Sequence, residues 1–332
     1  MLDRLTTVYG PVPSWRFGRS LGIDAVVGRK TCTFNCIYCQ LGKTLVPVAS
    51  LGELANPVSA YDLRKDLESY FDRMDMSSLD AITFSGSGEP TLNLQLGNMV
   101  ECVRELSEKK VPIVLLTNSS LLQYNDVKEN AAKFDVVCAK LDAGDQKSFR
   151  IVNRPVKGVS NLKKIVESIR GLRASFAGKF MIQTMFLRTT FGFTNCDGIA
   201  LENIMEVVGK IDPDVVQIDT PYRPGGEKFV RYVKVDELEA IAEKFMENFS
   251  ADKLWTFGVH DMRGKRVSWK GHESIGDEIL GLIRRRPCRI VDVADSLGIS
   301  YAEAIKNVSS LLDKRRIIEK ASNGDMYLYP TD

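Results

Sequence analysis

Between Gly22 and about residue 230 the chain alternates two patterns: short apolar runs rich in β-branched residues, and longer stretches whose apolar positions recur every three to four residues. The runs predict strands at 23–27, 81–84, 113–116, 136–140, 180–185 and 215–218. The longer stretches predict helices near 61–73, 95–109, 124–132, 159–175 and 197–210. Strands that are apolar at nearly every position are buried on both faces, as in a parallel sheet covered by helices. Six successive units of this kind predict an α/β fold built as a partial (β/α)6 parallel barrel. Sheets of this class carry their chemistry at the carboxyl ends of the strands.

The two ends of the chain break this rhythm. Residues 1–21 contain Tyr9-Gly10-Pro11-Val12-Pro13 and Gly18, too much Gly and Pro for one regular element, and are expected to cross the barrel mouth. The core then runs over 22–272. From 273 to 332 the pattern predicts three short helices, 274–285 (Ile275, Ile279 and Ile283 on one face), 290–297 and 300–313 (Ile305, Val308 and Leu312), followed by a hairpin. Gly298 marks a helix end, Ser300 with Glu303 a capping box, and Asn323-Gly324 a tight turn. Three helices and a hairpin resemble a small winged helix-turn-helix domain. Nine Lys or Arg against ten Asp or Glu give that segment a net charge of −1, whereas a duplex reader is normally basic. A role in packing on the core or holding a partner is therefore expected.

Composition narrows the class. The chain has 332 residues, 44% hydrophobic, with a formal net charge of +2, enough to bury a substantial core and too balanced to advertise a broad nucleic-acid or membrane surface. No apolar run approaches the roughly 18 to 20 residues that cross a bilayer, and no secretory leader pattern is present. Seven cysteines, an odd number, fit a reducing compartment, and a cytoplasmic protein without membrane association is expected.

Three of those cysteines, Cys32, Cys36 and Cys39, fall within one short loop. Iron–sulfur clusters are held by cysteine thiolates, and a fully protein-ligated cubane takes four. Three thiols thus leave one iron open to a substrate or cofactor. Zinc and redox readings are the alternatives. The remaining cysteines, Cys102, Cys138, Cys196 and Cys288, are single and scattered, which offers zinc no second ligand pair.

The spacing Cys32-x-x-x-Cys36-x-x-Cys39, with Tyr38 before the third cysteine, resembles the radical S-adenosylmethionine (SAM) enzymes. Phe84-Ser85-Gly86-Ser87-Gly88-Glu89-Pro90, Leu116-Thr117-Asn118-Ser119 and Lys140-Leu141-Asp142 fall, in order, where that superfamily has cofactor-contacting strand ends. The resemblance implies an enzyme with a barrel of the radical SAM type and two cofactors, a [4Fe-4S] cluster on Cys32, Cys36 and Cys39 and SAM at its free iron. It further implies reductive cleavage of SAM, a 5′-deoxyadenosyl radical and hydrogen abstraction from a substrate. Tyr38 would lie beside adenine; Gly86, Gly88 and Glu89 would receive the SAM amino group; Thr117, Asn118, Ser119 and Asp142 would meet ribose, and Lys140 the SAM carboxylate. Arg16, Arg19, Arg154, Gln183, Arg188, Asp219 and Arg223 are the candidate substrate residues. The opening segment and the 142–155 and 219–224 regions are most similar to the branch containing the wybutosine tRNA-modifying enzymes, although no cysteine precedes Cys32 to build that branch's second cluster. A tRNA base is thus the first expected substrate, with a small metabolite or a protein as alternatives, and a ferredoxin or flavodoxin the expected electron donor. A DNA-binding regulator responsive to the cluster or to SAM is the reading from another class. The oligomeric state has no signal in the sequence.

Overall fold

The computed structural model describes residues 6–55, 57–108, 110–262, 269, 271–272, 274–322 and 324–331. One eight-stranded sheet organises the core: β1 (Val8–Ser14), β2 (Gly18–Asp24), β3 (Ala81–Ser85), β4 (Ile113–Thr117), β5 (Val136–Lys140), β6 (Lys179–Met185), β7 (Val215–Asp219) and β8 (Leu254–Thr256). Their order in the sheet is their order in the chain. β1 is antiparallel to β2, and every other pair is parallel. The sheet curls into a half barrel. Its outer face carries α1 (Ala60–Arg73), α2 (Leu96–Leu106), α3 (Asn125–Ala131), α4 (Gln146–Val152), α5 (Leu162–Ser175), α6 (Gly198–Ile211) and α7 (Val235–Phe245). Polar side chains start several of these helices: Ser59, Asp145 and Asn161 each accept from a backbone N–H two or three residues on, satisfying donors the first turn leaves free. Phe84, Phe180, Phe186 and Phe245 are fully buried between sheet and helices.

The parallel array is longer than the six predicted units, because β8 is an edge strand of three residues, too short to establish a pattern in the sequence. The predicted run 23–27 also ends early. Asp24 Oδ1 accepts from the N–H groups of Val26 and Val27 at 3.1 Å, and this local turn stops β2 and sends the chain outward. Residues 8–24, expected to be irregular, form the β1–β2 hairpin. The prolines are accommodated because β1 is an edge strand with a register shift between Tyr9 and Val12, and Gly18 supplies the positive φ of +65° at the turn. The hairpin tip reaches the segment after β8: Met262 N donates to Trp15 O at 2.8 Å, and the Trp15 ring meets Phe257 and His260 edge-on. One edge of the curled sheet is thereby tied to the other.

The final helices are α8 (Ile275–Arg285), α9 (Ile290–Leu297) and α10 (Tyr301–Asp313), followed by the hairpin β9 (Ile317–Ser322) and β10 (Asp325–Pro330). Gly298 ends α9 at φ +63°, and Ser300 Oγ caps α10 by accepting from Glu303 N at 3.2 Å. Gly324 has φ +85°; its turn partner Asn323 and the proposed boundary at residue 273 lie outside the described residues. These elements share an apolar cluster of their own, which Tyr9 of β1 joins. On α10 the buried face is Ala304, Val308 and Leu311, while the predicted core residue Ile305 is 40% exposed. The small side chain of Ala304 lets α10 approach its neighbours on that side, rotating the helix away from the face with the larger residues.

Candidate active site

Three segments converge at the carboxyl end of the sheet, and backbone hydrogen bonds hold them together. The loop carrying the cysteines is pinned on one side by Thr31, whose N–H donates to Ser87 O (3.2 Å) and whose carbonyl accepts from Glu89 N (3.2 Å). On the other side Ile37 N donates to Val152 O (3.0 Å) and Val156 N to Thr33 O (2.9 Å). Gly88 is required by this arrangement: a Cβ there would sit 1.8 Å from Thr31 O. Gly86, at φ +127°, has the Asp24 carboxyl where its side chain would be. Both glycines therefore permit close packing of protein segments.

Cys32, Cys36 and Cys39 are free thiols, each partly exposed, on the wall of one cavity of about 340 Å³. Asn118 Nδ2 lies 3.5 Å from the Cys32 sulfur and Asn153 Nδ2 3.6 Å from that of Cys36, both as donors. Burial pushes the Cys32 thiol up to about 12 and Cys36 up to about 11, with neighbouring Glu89 and Asp142 adding to the effect. Lys30 opposes it. Its buried ammonium donates to Gly42 O at 2.6 Å; desolvation is the largest single influence on it and lowers its pKa, but the adjacent Cys39, Cys32 and Cys36 together raise it. Amide donors and a cation around three sulfurs suit them to be thiolates. Among the described residues no group of three or more His, Cys, Asp or Glu converges on a point that would hold a single metal ion. A cubane makes a different demand, one thiolate on each of three irons.

The strand ends beside the cysteines form a closed polar network. Glu89 is 2% exposed; its carboxylate accepts from Thr91 Oγ1 and Thr117 Oγ1 (both 2.6 Å) and from Asn118 N (2.7 Å), yet burial still raises its pKa. Asp142 accepts from Tyr38 OH (2.5 Å), Asn153 Nδ2 (2.7 Å) and Met185 N (2.9 Å). The Lys140 ammonium stands 4.9 Å over the Tyr38 ring and 3.5 Å from Asp142. Deeper in the half barrel Gln183 Nε2 donates to Asp219 Oδ2 at 2.7 Å, and burial raises the Asp219 pKa.

Most residues singled out in the sequence reach this cavity: Tyr38, Gly86, Gly88, Glu89, Thr117, Asn118, Lys140, Gln183, Asp219, Arg16 and Arg223 line it with the three cysteines. Five others do not. Ser119 is fully buried, its hydroxyl donating to Lys140 O, and Asp142 lies beneath Tyr38. Arg19 forms two 3.0 Å bonds to Asp80, Arg154 pairs with Glu227, and Arg188 pairs with Asp197 and Glu237. Acidic partners, all but Asp197 remote in sequence, hold those three arginines elsewhere.

Sequence reasoning missed the closing wall. Arg285 and Arg286, at the end of α8, line the cavity together with Tyr9. Arg285 is 3% exposed; its Nε donates to Asp24 Oδ2 at 2.9 Å, another of its nitrogens to Thr6 O, and its guanidinium covers the Tyr9 ring at 4.8 Å. Arg223 Nη1 donates to Pro287 O at 2.9 Å and lies 3.4 Å from Asp292. A run of three arginines at a predicted helix end was the available signal, but nothing in it named Asp24 as the partner.

Comparison with known proteins adds an independent line. The pattern of the Radical SAM superfamily matches residues 28–190. A UPF0026 protein of Methanocaldococcus jannaschii is 28% identical over 97% of this chain and 95% of its own length. A UPF0026 protein of Synechocystis is 36% identical over 65% of this chain and 76% of its own. A solved structure of TYW1 with a lysine–pyruvate adduct bound superposes with a TM-score of 0.50 at 17% identity, covering 71% of this chain and 77% of that one, which is a likeness of fold.

Proposed function

Since the chain belongs to the radical SAM superfamily, within the UPF0026 proteins, and is an enzyme whose cofactors are a [4Fe-4S] cluster and SAM, we propose that Cys32, Cys36 and Cys39 ligate the cluster and that the cavity beside them binds SAM. The observation that carries this is the convergence of three free, partly exposed thiols and the amides of Asn118 and Asn153 on one cavity at the carboxyl end of a parallel half barrel, with the buried Lys30 ammonium beside the sulfurs. When bound, these cofactors supply reductive carbon–sulfur cleavage and a 5′-deoxyadenosyl radical that abstracts a substrate hydrogen.

The protein's share is orientation and shielding. Lys30, Asn118 and Asn153 favour the thiolate forms of the cysteines. Lys140 presents donors to a carboxylate group, while Thr117 and Asn118, whose own donors are held by Glu89, Cys32 and Thr33, line the cavity where ribose would lie. Glu89 offers its remaining acceptor capacity to an ammonium group, and the Tyr38 ring gives adenine an apolar surface. The Asp142 contacts hold Tyr38 and Lys140 in place, so its action on a bound ligand is through them. Residues beyond this wall, Gln183, Asp219, Arg16 and Arg223, face the position of a substrate. The likeness of the opening segment to the wybutosine branch supports a tRNA base as the first candidate substrate. An electron donor of the ferredoxin or flavodoxin kind completes the reaction. Among the described residues no helix is long and apolar enough to cross a membrane, and seven free cysteines support a reducing cytoplasm.

Anaerobic reconstitution followed by dithionite and SAM tests the assignment. The expected result is about four irons per chain, methionine and 5′-deoxyadenosine, all lost in Cys36→Ala. Undiminished SAM cleavage by that variant, or an iron-free protein after reconstitution, would sink it.

A further inference from the structure

The cavity's arginines differ in how completely they are paired. Arg285 is held by Asp24 and two backbone carbonyls, and Arg223 by Pro287 O and Asp292. Arg286 is 8% exposed, yet its Nε is buried without a hydrogen-bond partner. One terminal nitrogen makes a long 3.5 Å approach to Ser296 Oγ, and the side chain also lies beside the Cys288 thiol. Arg16 Nε on the first hairpin is likewise buried and unpartnered, and neither residue forms an ion pair among the described residues. Asp219 is close enough to feel the Arg16 charge but is bonded to Gln183 and Thr220 N instead. A buried guanidinium nitrogen without an acceptor carries a desolvation cost that a bound ligand would remove.

We propose that this wall is the receiving site for a phosphate group on the substrate, bound by Arg286 from the terminal helices and Arg16 from the first hairpin. The assignment rests on the reading of the cavity as a SAM and substrate pocket and names the class of molecule that enters it. Two guanidinium groups without an ion-pair partner suit a phosphate group, which offers more acceptor oxygens than a carboxylate and, as a monoester, carries about −1.5 to −2 charges at neutral pH. A guanidinium presents its N–H groups as a planar fork suited to such oxygens. The placement gives the terminal helices a task in substrate capture, with the phosphate held at the mouth while the remainder of the molecule points toward the cysteine wall.

The test is equilibrium binding by the anaerobically reconstituted full-length protein in a low-anion buffer, with inorganic phosphate, acetate and SAM as separate probes. Trp15 lines the cavity, so its fluorescence serves as one readout and calorimetry as the other. Wild-type protein is expected to bind phosphate saturably, and Arg286→Gln and Arg16→Gln each to weaken it by about tenfold or more. Arg286→Lys, which keeps the charge and removes the fork, is expected to fall between. Circular dichroism checks folding. Should Arg286→Gln not fold, Arg286→Lys and Arg16→Gln decide, and unchanged phosphate affinity in both overturns the proposal. Acetate binding as tightly as phosphate overturns the phosphate assignment. A loss of SAM affinity matching the loss of phosphate affinity also overturns it, because the arginines would then serve the SAM carboxylate. A wild-type protein that fails to cleave SAM but binds phosphate through Arg286 would defeat the proposed function and leave this inference standing.

Discussion

The two walls of the cavity are built on opposite principles. At the strand ends, Glu89, Thr117, Asn118, Tyr38, Asp142 and Asn153 bond to one another so fully that little polar capacity is left beyond what faces the cavity. At the wall made by the first hairpin and α8, one arginine is completely paired while its sequence neighbour Arg286 has a bare buried nitrogen. A saturated network fixes geometry, since any movement breaks several bonds together. An unsatisfied donor does the reverse and lends its free energy to whatever acceptor arrives. The difference separates the part of the pocket that positions from the part that recruits.

Three substitutions sharpen this contrast. Arg285→Met leaves the buried Asp24 carboxylate without its cation and is expected to lower stability by about 3 to 5 kcal/mol. Chemical denaturation measures this, and adding Asp24→Asn should restore part of the loss; wild-type stability in Arg285→Met would show the ion pair to be dispensable. Gly88→Ala drives a methyl group into Thr31 O and should cost about 1 to 3 kcal/mol. Its signature is reduced iron retention after reconstitution, because the displaced segment leads directly into Cys32. The smallest effect concerns Asp292. Burial raises its pKa and is the largest single influence, but Arg223, Arg289 and Arg286 outweigh it and hold the carboxyl below its ordinary value of 3.8. A depressed folded-state pKa contributes stability that is present above the unfolded value and lost as pH falls through the folded one. Acid unfolding of wild-type protein should therefore show a destabilisation below about pH 4 that Asp292→Asn lacks. Superimposable acid limbs would remove Asp292 from the account.

Local patterns revealed much of this architecture. The apolar runs located six strands because buried parallel strands must be apolar throughout, and Ser300 and Gly298 marked helix ends through chemistry confined to one turn. The cysteine loop and the strand-end motifs were visible as residue types at fixed spacing. What stayed hidden depends on distant partners. Arg19, Arg154 and Arg188 look free in the sequence, and only the fold reveals Asp80, Glu227 and Glu237 beside them. The 8–24 hairpin was obscured by prolines that an edge strand tolerates, and the seven-residue α4 is too short to establish a period.

The bond between Asp24 and Arg285 joins positions 261 residues apart. During synthesis the first parallel strand therefore emerges long before the side chain that neutralises its end, and the pocket stays unsealed until α8 has left the ribosome and docked. Closure of the cavity is thus deferred to the late stages of translation, long after the loop carrying Cys32, Cys36 and Cys39 has been made.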